Sequence, residues 1–278
     1  MATGSGRRRP RVSNPIGVFD SGLGGLTVVR EIRRRLPSES IVYFGDIARL
    51  PYGIKSKEQI LSYSIQNTLF LVKRKVKAVV IACNSSSSAA FRFLKNHFRL
   101  PVIDVIEPAV QSAFVGIHRN GVRIGVLATS STIATGAYEK AIHKKDPSAK
   151  VFQMACPLFV PLVEEGWREG KIVRDIVKYY LRPIKRFRPE SLILGCTHYP
   201  LLRPVIQREM GPAVRLIDSA KPTVEKLSSL LNENELSYPD SRRGFLKIYV
   251  SDLPRNFIRV GETFLGEKLH HVELVRQK

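Results

Sequence analysis

Two short stretches carry the residues best suited to chemistry at a carbon centre. They are Ala78-Val79-Val80-Ile81-Ala82-Cys83-Asn84-Ser85 and Ser191-Leu192-Ile193-Leu194-Gly195-Cys196-Thr197-His198. In each, an apolar run ends abruptly in a cysteine and then in small polar residues. Such a run reads as a buried parallel strand, and Ser or Thr just beyond it suits a helix N-cap. Each cysteine is therefore expected at the carboxyl end of a strand, facing a helix N-terminus, where open α/β sheets bind ligands. The positive end of a helix favours a thiolate. The spacing predicts that the two sulfurs face each other across one substrate.

Other candidates are read against these two. His198 lies two residues beyond Cys196, placed to stabilise an anionic sulfur or to protonate a carbanion. His97, His118, His143, His270 and His271 read as surface or core fillers. Glu164 and Glu165 follow an apolar loop and read either as helix-end charge complements or as a site acid. Asp20-Ser21, with the glycines behind them, reads as an anion-tolerant turn whose carboxylate can orient a neighbour. Gly22-x-Gly24, with Asp46 closing the next strand, is a partial dinucleotide fingerprint. Thr27 stands where its third glycine belongs, so a nicotinamide cofactor is not expected. Cys156 has no strand-end position and reads as an inert buried side chain. With three cysteines and no C-x-x-C spacing, neither a metal site nor a disulfide framework is expected.

The elements that must position these residues alternate in type. Strands are expected at 15–20, 40–46, 78–83 and 101–106, with helices at 28–36, 56–74 and 87–96 between them. Around Glu107-Pro108 the pattern restarts, with a helix from Ala109 to His118 and a strand at 122–129. A helix over 136–143, a strand at 150–154 and a helix over 172–187 follow. The second cysteine strand then leads to a strand at 214–218, a helix over 221–231, a strand at 247–250 and a helix over 257–265. Ile-Gly-Val recurs at Ile16 and Ile124, and the cysteines recur at nearly the same offset. The rhythm implies a mostly parallel α/β architecture: two similar parallel-sheet α/β domains related by pseudo-symmetry, with the active site in the cleft between them. The expected division is a disordered basic leader over 1–14, a first domain over 15–107 plus about 220–278, and a second over 108–219.

Composition narrows the class. With 278 residues, 44% hydrophobic and 25% charged, the chain is an ordinary globular protein. No apolar run is long enough to cross a bilayer. The leader carries Arg7, Arg8, Arg9 and Arg11 without an apolar segment behind them, so it is not a secretory signal, and a cytoplasmic protein is expected. The formal charge of +21 is scattered over separate segments such as Arg33-Arg34-Arg35 and Lys73-Arg74-Lys75. Nonspecific adhesion to polyanions at low salt is expected, and specific nucleic-acid binding is not.

The chain resembles the glutamate branch of the cofactor-independent aspartate/glutamate racemase superfamily. The matching segments are Gly17-Val18-Phe19-Asp20-Ser21-Gly22, Pro51-Tyr52-Gly53, Ala82-Cys83-Asn84, Cys156-Pro157-Leu158-Phe159-Val160-Pro161 and Gly195-Cys196-Thr197-His198-Tyr199-Pro200-Leu201-Leu202. Ser251-Asp252-Leu253-Pro254 and Phe264-Leu265-Gly266 fit as well. The family usually has Asn-Thr after the first cysteine, and here it is Asn84-Ser85.

This resemblance implies a two-base reaction on free L- or D-glutamate, with no cofactor and no metal. Cys83 would take the α-proton of the D-enantiomer and Cys196 that of the L-enantiomer. Asp20 and His198 would assist, with Glu164 as a supporting acid. Ser21, Tyr52, Gly53, Asn84, Ser85 and Thr197, together with Asp20 and His198, would hold the substrate. It implies a supply of D-glutamate to peptidoglycan, with a homodimer as the assembly to consider. The rival expectations are a relative acting on another acid such as aspartate, and a non-catalytic regulator that binds DNA through its basic surface.

Overall fold

The computed structural model describes residues 11–117, 119–239, 242–255 and 257–276. Most of the expected leader lies outside the described residues.

Among the described residues ten strands form two sheets, and every strand pair in both is parallel. In the first, β1 (Ile16–Asp20) lies between β2 (Ile41–Gly45) and β3 (Ala78–Ile81), with β4 (Val102–Ile103) beyond β3. The second repeats this order: β5 (Arg123–Ala128) lies between β6 (Lys150–Ala155) and β7 (Ser191–Gly195), with β8 (Arg215–Asp218) beyond β7. The recurrence of Ile-Gly-Val thus marks the two central strands, and each candidate cysteine follows the strand next to its centre. The tail adds β9 (Leu246–Val250), paired with β2, and β10 (Val272–Leu274), paired with β9, which brings the first sheet to six strands. The β10 strand has no clear signal in the sequence, since its three residues are half-buried or exposed.

Burial explains why these segments are strands. All residues of β1, β2, β3 and β7 are buried, as expected of sheets covered on both faces. On the first sheet, helix α1 (Leu26–Arg35) turns Leu26, Val28, Val29 and Ile32 inward, and α2 (Lys57–Lys73) begins on a Ser56 cap. The largest apolar cluster joins side chains of both sheets, from Ile16 and Val80 to Leu194 and Cys196.

Several helix boundaries differ from expectation for identifiable reasons. Helix α3 (Asn84–His97) starts three residues early because Cys83 itself caps it, its sulfur accepting from the Ser86 N–H at 3.4 Å. Helix α4 (Ile106–Ala113) also starts early. The Asp104 carboxylate accepts from the Ile106 and Glu107 N–H groups at 3.0 and 3.2 Å, and Pro108 is tolerated in a first turn. It ends at Ala113, short of the expected His118, which itself lies outside the described residues. Two short helices, α5 (Ser130–Ala134) and α7 (Phe159–Glu164), occupy segments that read as loops, and α6 (Ala137–Lys145) follows α5. The long α8 (Lys171–Phe187) matches its expected span within one residue. Helix α9 (Arg203–Met210) was not anticipated, while α10 (Ala220–Glu233) and α11 (Phe257–Leu265) were.

Lys77, at the base of β3, is fully buried and closes the first sheet from below. Its ammonium lies 2.5 Å from Glu39 and donates to the carbonyls of Val12 and Leu236. The clamp ties the start of the described chain and the segment after α10 to the strand that leads to Cys83. Removing one partner of a buried pair strands the other. Lys77→Met is expected to lose about 3–5 kcal/mol of stability, read by urea denaturation. The double variant with Glu39→Gln is expected to recover part of it.

Candidate active site

The turn after β1 is built around Asp20. This carboxylate is wholly buried, and one oxygen accepts the N–H groups of Gly22 and Gly25, each at 3.1 Å. Its other oxygen, Oδ1, has no hydrogen-bond partner. Burial pushes Asp20 up from the usual carboxylate range, while His198 and the backbone N–H groups of Gly25, Gly22 and Ser21 oppose the shift. Tyr43 supports the turn by donating to the Gly22 carbonyl at 2.7 Å.

Cys83 sits beside this turn, with its thiol donating to the Ser21 hydroxyl at 3.5 Å. Burial and the neighbouring Asp20 push the thiol up to about 12, against the opposing pull of Ser21 and Ser86. The expectation of a thiolate at this position is thus corrected. One helix N–H cannot outweigh full desolvation and an adjacent carboxylate, so Cys83 rests as a thiol.

Cys196 is supported differently. It precedes a 3₁₀ turn (Tyr199–Leu202) rather than an α-helix, which corrects the expected symmetry of the two strand ends. Its sulfur faces the Nδ1 of His198 at 3.8 Å, and the Nε2 of His198 lies 3.1 Å from Glu164. Burial disfavours charge on His198, yet hydrogen bonds to Cys196 and Glu164 and their charges outweigh it and push the imidazole up to about 10. Phe264 packs edge-on against the ring at 5.1 Å. Glu164, and not Glu165, is the residue in contact, and it ends α7 rather than starting a helix. Phe159 holds that helix in place by edge-on packing on Tyr180 and Tyr199, and Tyr199 donates to the Cys156 carbonyl at 2.9 Å. Cys156 itself is buried, and burial pushes its thiol up.

The two halves meet at these residues. A side chain at Gly24 would collide with Thr197 and, at 2.8 Å, with the Nδ1 of His198, so the glycine turn lies directly against the second half. The Ser85 hydroxyl lies 3.0 Å from those of Thr129 and Ser131 and 3.3 Å from Thr132. Gly53 packs on Thr129. Tyr138 donates to the Asn84 carbonyl oxygen at 2.7 Å, leaving the Asn84 amide nitrogen buried without a partner.

Tyr52 adjoins Cys83 in a small buried cluster, but its hydroxyl donates to Asp46 and accepts from Asn67. Ser251 donates to the other oxygen of Asp46 at 3.0 Å. The hydroxyl of Tyr52 is therefore committed to Asp46, whereas its ring borders Cys83. Sequence reasoning read Asp46 only as part of a dinucleotide fingerprint, and it missed Tyr43, Thr129, Thr132 and Tyr138. Their only signal was polar atoms on residues at buried positions, which a single sequence does not reveal.

Among the described residues no group of three or more His, Cys, Asp or Glu side chains is placed to hold a metal. Nor is any helix in them long and apolar enough to cross a membrane.

The model of the Asp/Glu/hydantoin racemase family matches residues 16–227. The chain belongs to this family. It is 46% identical to a glutamate racemase of Geobacter metallireducens, over 92% of this chain and 94% of that protein. It is 45% identical to one of Neisseria meningitidis, over 97% of both chains. Among solved structures, a glutamate racemase of Francisella tularensis in complex with D-glutamate superposes with a TM-score of 0.89 at 42% identity, covering 95% of this chain and 98% of that one. These racemase relatives span nearly the whole chain.

The His198 pair sets a pH dependence. A folded value near 10 against an ordinary 6.5 means that the folded protein holds a proton the unfolded chain releases. That contribution is full below about 6.5 and is lost as pH rises towards 10. An NMR titration of the His198 ring is expected to show a midpoint near 10. Glu164→Gln is expected to lower that midpoint, since it removes one of the two groups that raise it.

Proposed function

We propose that this racemase interconverts L- and D-glutamate by a two-base transfer of the α-proton between Cys83 and Cys196. The observation that carries the reading is that the Asp20 turn touches both cysteine sites: Cys83 donates to Ser21 at one side of it, and Gly24 lies against Thr197 and His198, the partner of Cys196, at the other. High identity to glutamate racemases over nearly the full chain supports the substrate.

In the direction from L-glutamate, the Cα–H bond breaks and its proton passes to the Cys196 sulfur. The protonated His198, held by Glu164, acts as a charge-assisted donor to that sulfur. The electron pair stays on Cα, and the Cys83 thiol delivers its proton to the opposite face. From D-glutamate the roles reverse. The α-proton is very weakly acidic, so a base of ordinary thiol strength is poorly matched to it. Burial and Asp20 make the Cys83 thiolate a stronger base, although a rarer one. Preorganised donors in a water-poor cleft must stabilise the carbanion. The Asn84 amide, Ser21, Ser85, Thr197 and the backbone around Tyr52 and Gly53 supply them by this reading, with Asp20 and His198 bordering the same space.

The catalytic unit is then two α/β halves, 15–107 with about 220–278 and 108–219. The pairing of β9 and β10 onto the first sheet supports that division. D-glutamate made this way would feed peptidoglycan synthesis, from within the cytoplasm.

Circular dichroism of L-glutamate with purified protein and no added cofactor tests the reading, and decay of the signal to zero is the expected result. Product formed in deuterium oxide is expected to carry deuterium at Cα, and retained protium would exclude exchange with solvent. Cys83→Ser and Cys196→Ser are each expected to lower turnover by roughly 10²–10⁴-fold while leaving the unfolding transition in place. Full activity in either variant would remove that sulfur from the reaction.

A further inference from the structure

Tyr138 belongs to the second half, where it lies on α6, yet it touches the residue next to each candidate cysteine. Its hydroxyl donates to Oδ1 of Asn84, which directly follows Cys83 and opens α3. Its ring edge lies 2.9 Å from where a side chain on Gly195 would begin, and Gly195 directly precedes Cys196. Only a glycine lets the end of β7 approach the ring so closely. Both Tyr138 and Asn84 are buried.

A buried tyrosine needs an acceptor for its hydroxyl, and many backbone carbonyls would serve. Choosing a side-chain amide has a particular consequence. Once the carbonyl end of the amide is committed, the NH2 end must point the other way. That nitrogen is buried beside Cys83 with no partner. An unpaired buried donor is costly, and a carboxylate oxygen is the group that best relieves it.

We propose that Tyr138 is a positioning residue: it holds the Asn84 amide with its NH2 facing a carboxylate of the bound amino acid, while its ring sets how closely the Cys196 strand approaches. The proposal rests on the glutamate reading for the identity of that ligand. Because the bond runs between the two halves, the amide is correctly turned only while they are closed on each other. The hydroxyls of Thr129, Ser131 and Thr132 around Ser85 lie on the same seam and keep the first turn of α3 against the second half.

Tyr138→Phe keeps the ring and removes only the donor. KM for both enantiomers is expected to rise about five- to tenfold, the ratio that the net contribution of one hydrogen bond gives, while kcat falls less than about threefold. A purely structural tyrosine would lower the unfolding midpoint and leave KM alone. Asn84→Ala is expected to raise KM by itself, and adding Tyr138→Phe to it is expected to change nothing further. An unchanged KM in Tyr138→Phe, or effects that multiply in the double variant, would overturn the proposal. A crystal structure of Tyr138→Phe checks the geometry without any activity, and the Asn84 amide is expected to turn there. An amide that keeps its orientation would also overturn it. Should the wild type racemise no glutamate, the function fails, and the crystal structure still decides the orientation.

Discussion

A carboxylate buried with one oxygen unsatisfied is the constraint on which the rest of this site depends. Asp20 is fully covered by protein. Two glycine N–H groups hold one oxygen, and the other is left open. Such an arrangement is expensive unless a positive charge stands nearby. His198, on the opposite half, supplies that charge through space. The fold accordingly has to keep the glycine turn pressed against Thr197 and His198, and it does so by omitting a side chain at Gly24.

The same carboxylate explains why two topologically equivalent cysteines are chemically unlike. The strand orders of the two sheets superimpose, but the ends of their central strands do not carry the same group. Asp20 closes β1, whereas Ala128 closes β5 and is followed by Thr129, a neutral helix cap. Cys83 therefore stands next to negative charge and stays protonated, with its sulfur spent partly on capping α3. Cys196 has no such helix behind it and instead borrows a histidine two residues away, which Glu164 holds. One half surrounds its sulfur with burial and a carboxylate, and the other sets an imidazole beside its sulfur.

The fold was legible in the sequence where burial on both faces writes itself as an unbroken apolar run. Ala78–Ile81 and Ser191–Gly195 are such runs, and their ends located both cysteines. Legibility failed where one polar atom decides the outcome. The start of α4 depends on the Asp104 carboxylate, and α3 depends on a sulfur acting as a cap, neither of which hydrophobic spacing records. At the site, Asp20 and His198 stood out because each adjoins a strand end, whereas Ser21, Asn84, Ser85 and Thr197 were named for the substrate through the family resemblance. Spacing alone offered Glu164 and Glu165 alike, the resemblance pointed to Glu164, and it is Glu164 that contacts His198. The hydroxyls of Thr129 and Tyr138 were invisible because their partners are 44 and 54 residues away, on the other half.

The two supports also suggest why the chain needs both halves rather than two copies of one. A base strong enough for an α-proton must be high in pKa, and a base available at neutral pH must be stabilised as an anion. No single environment does both. On the proposed mechanism, a raised thiol in one half and a sulfur that accepts a hydrogen bond from imidazolium in the other separate the two demands in space. On that mechanism the reaction from L-glutamate begins with its acid, the Cys83 thiol, already in place. The transferred proton then exchanges the roles of the two sulfurs. Identical cysteines in identical surroundings would begin both as thiols, with no base to remove the hydrogen. On the proposed mechanism, the departure from symmetry at Asp20 and His198 is what lets one sulfur serve as the acid while the other serves as the base.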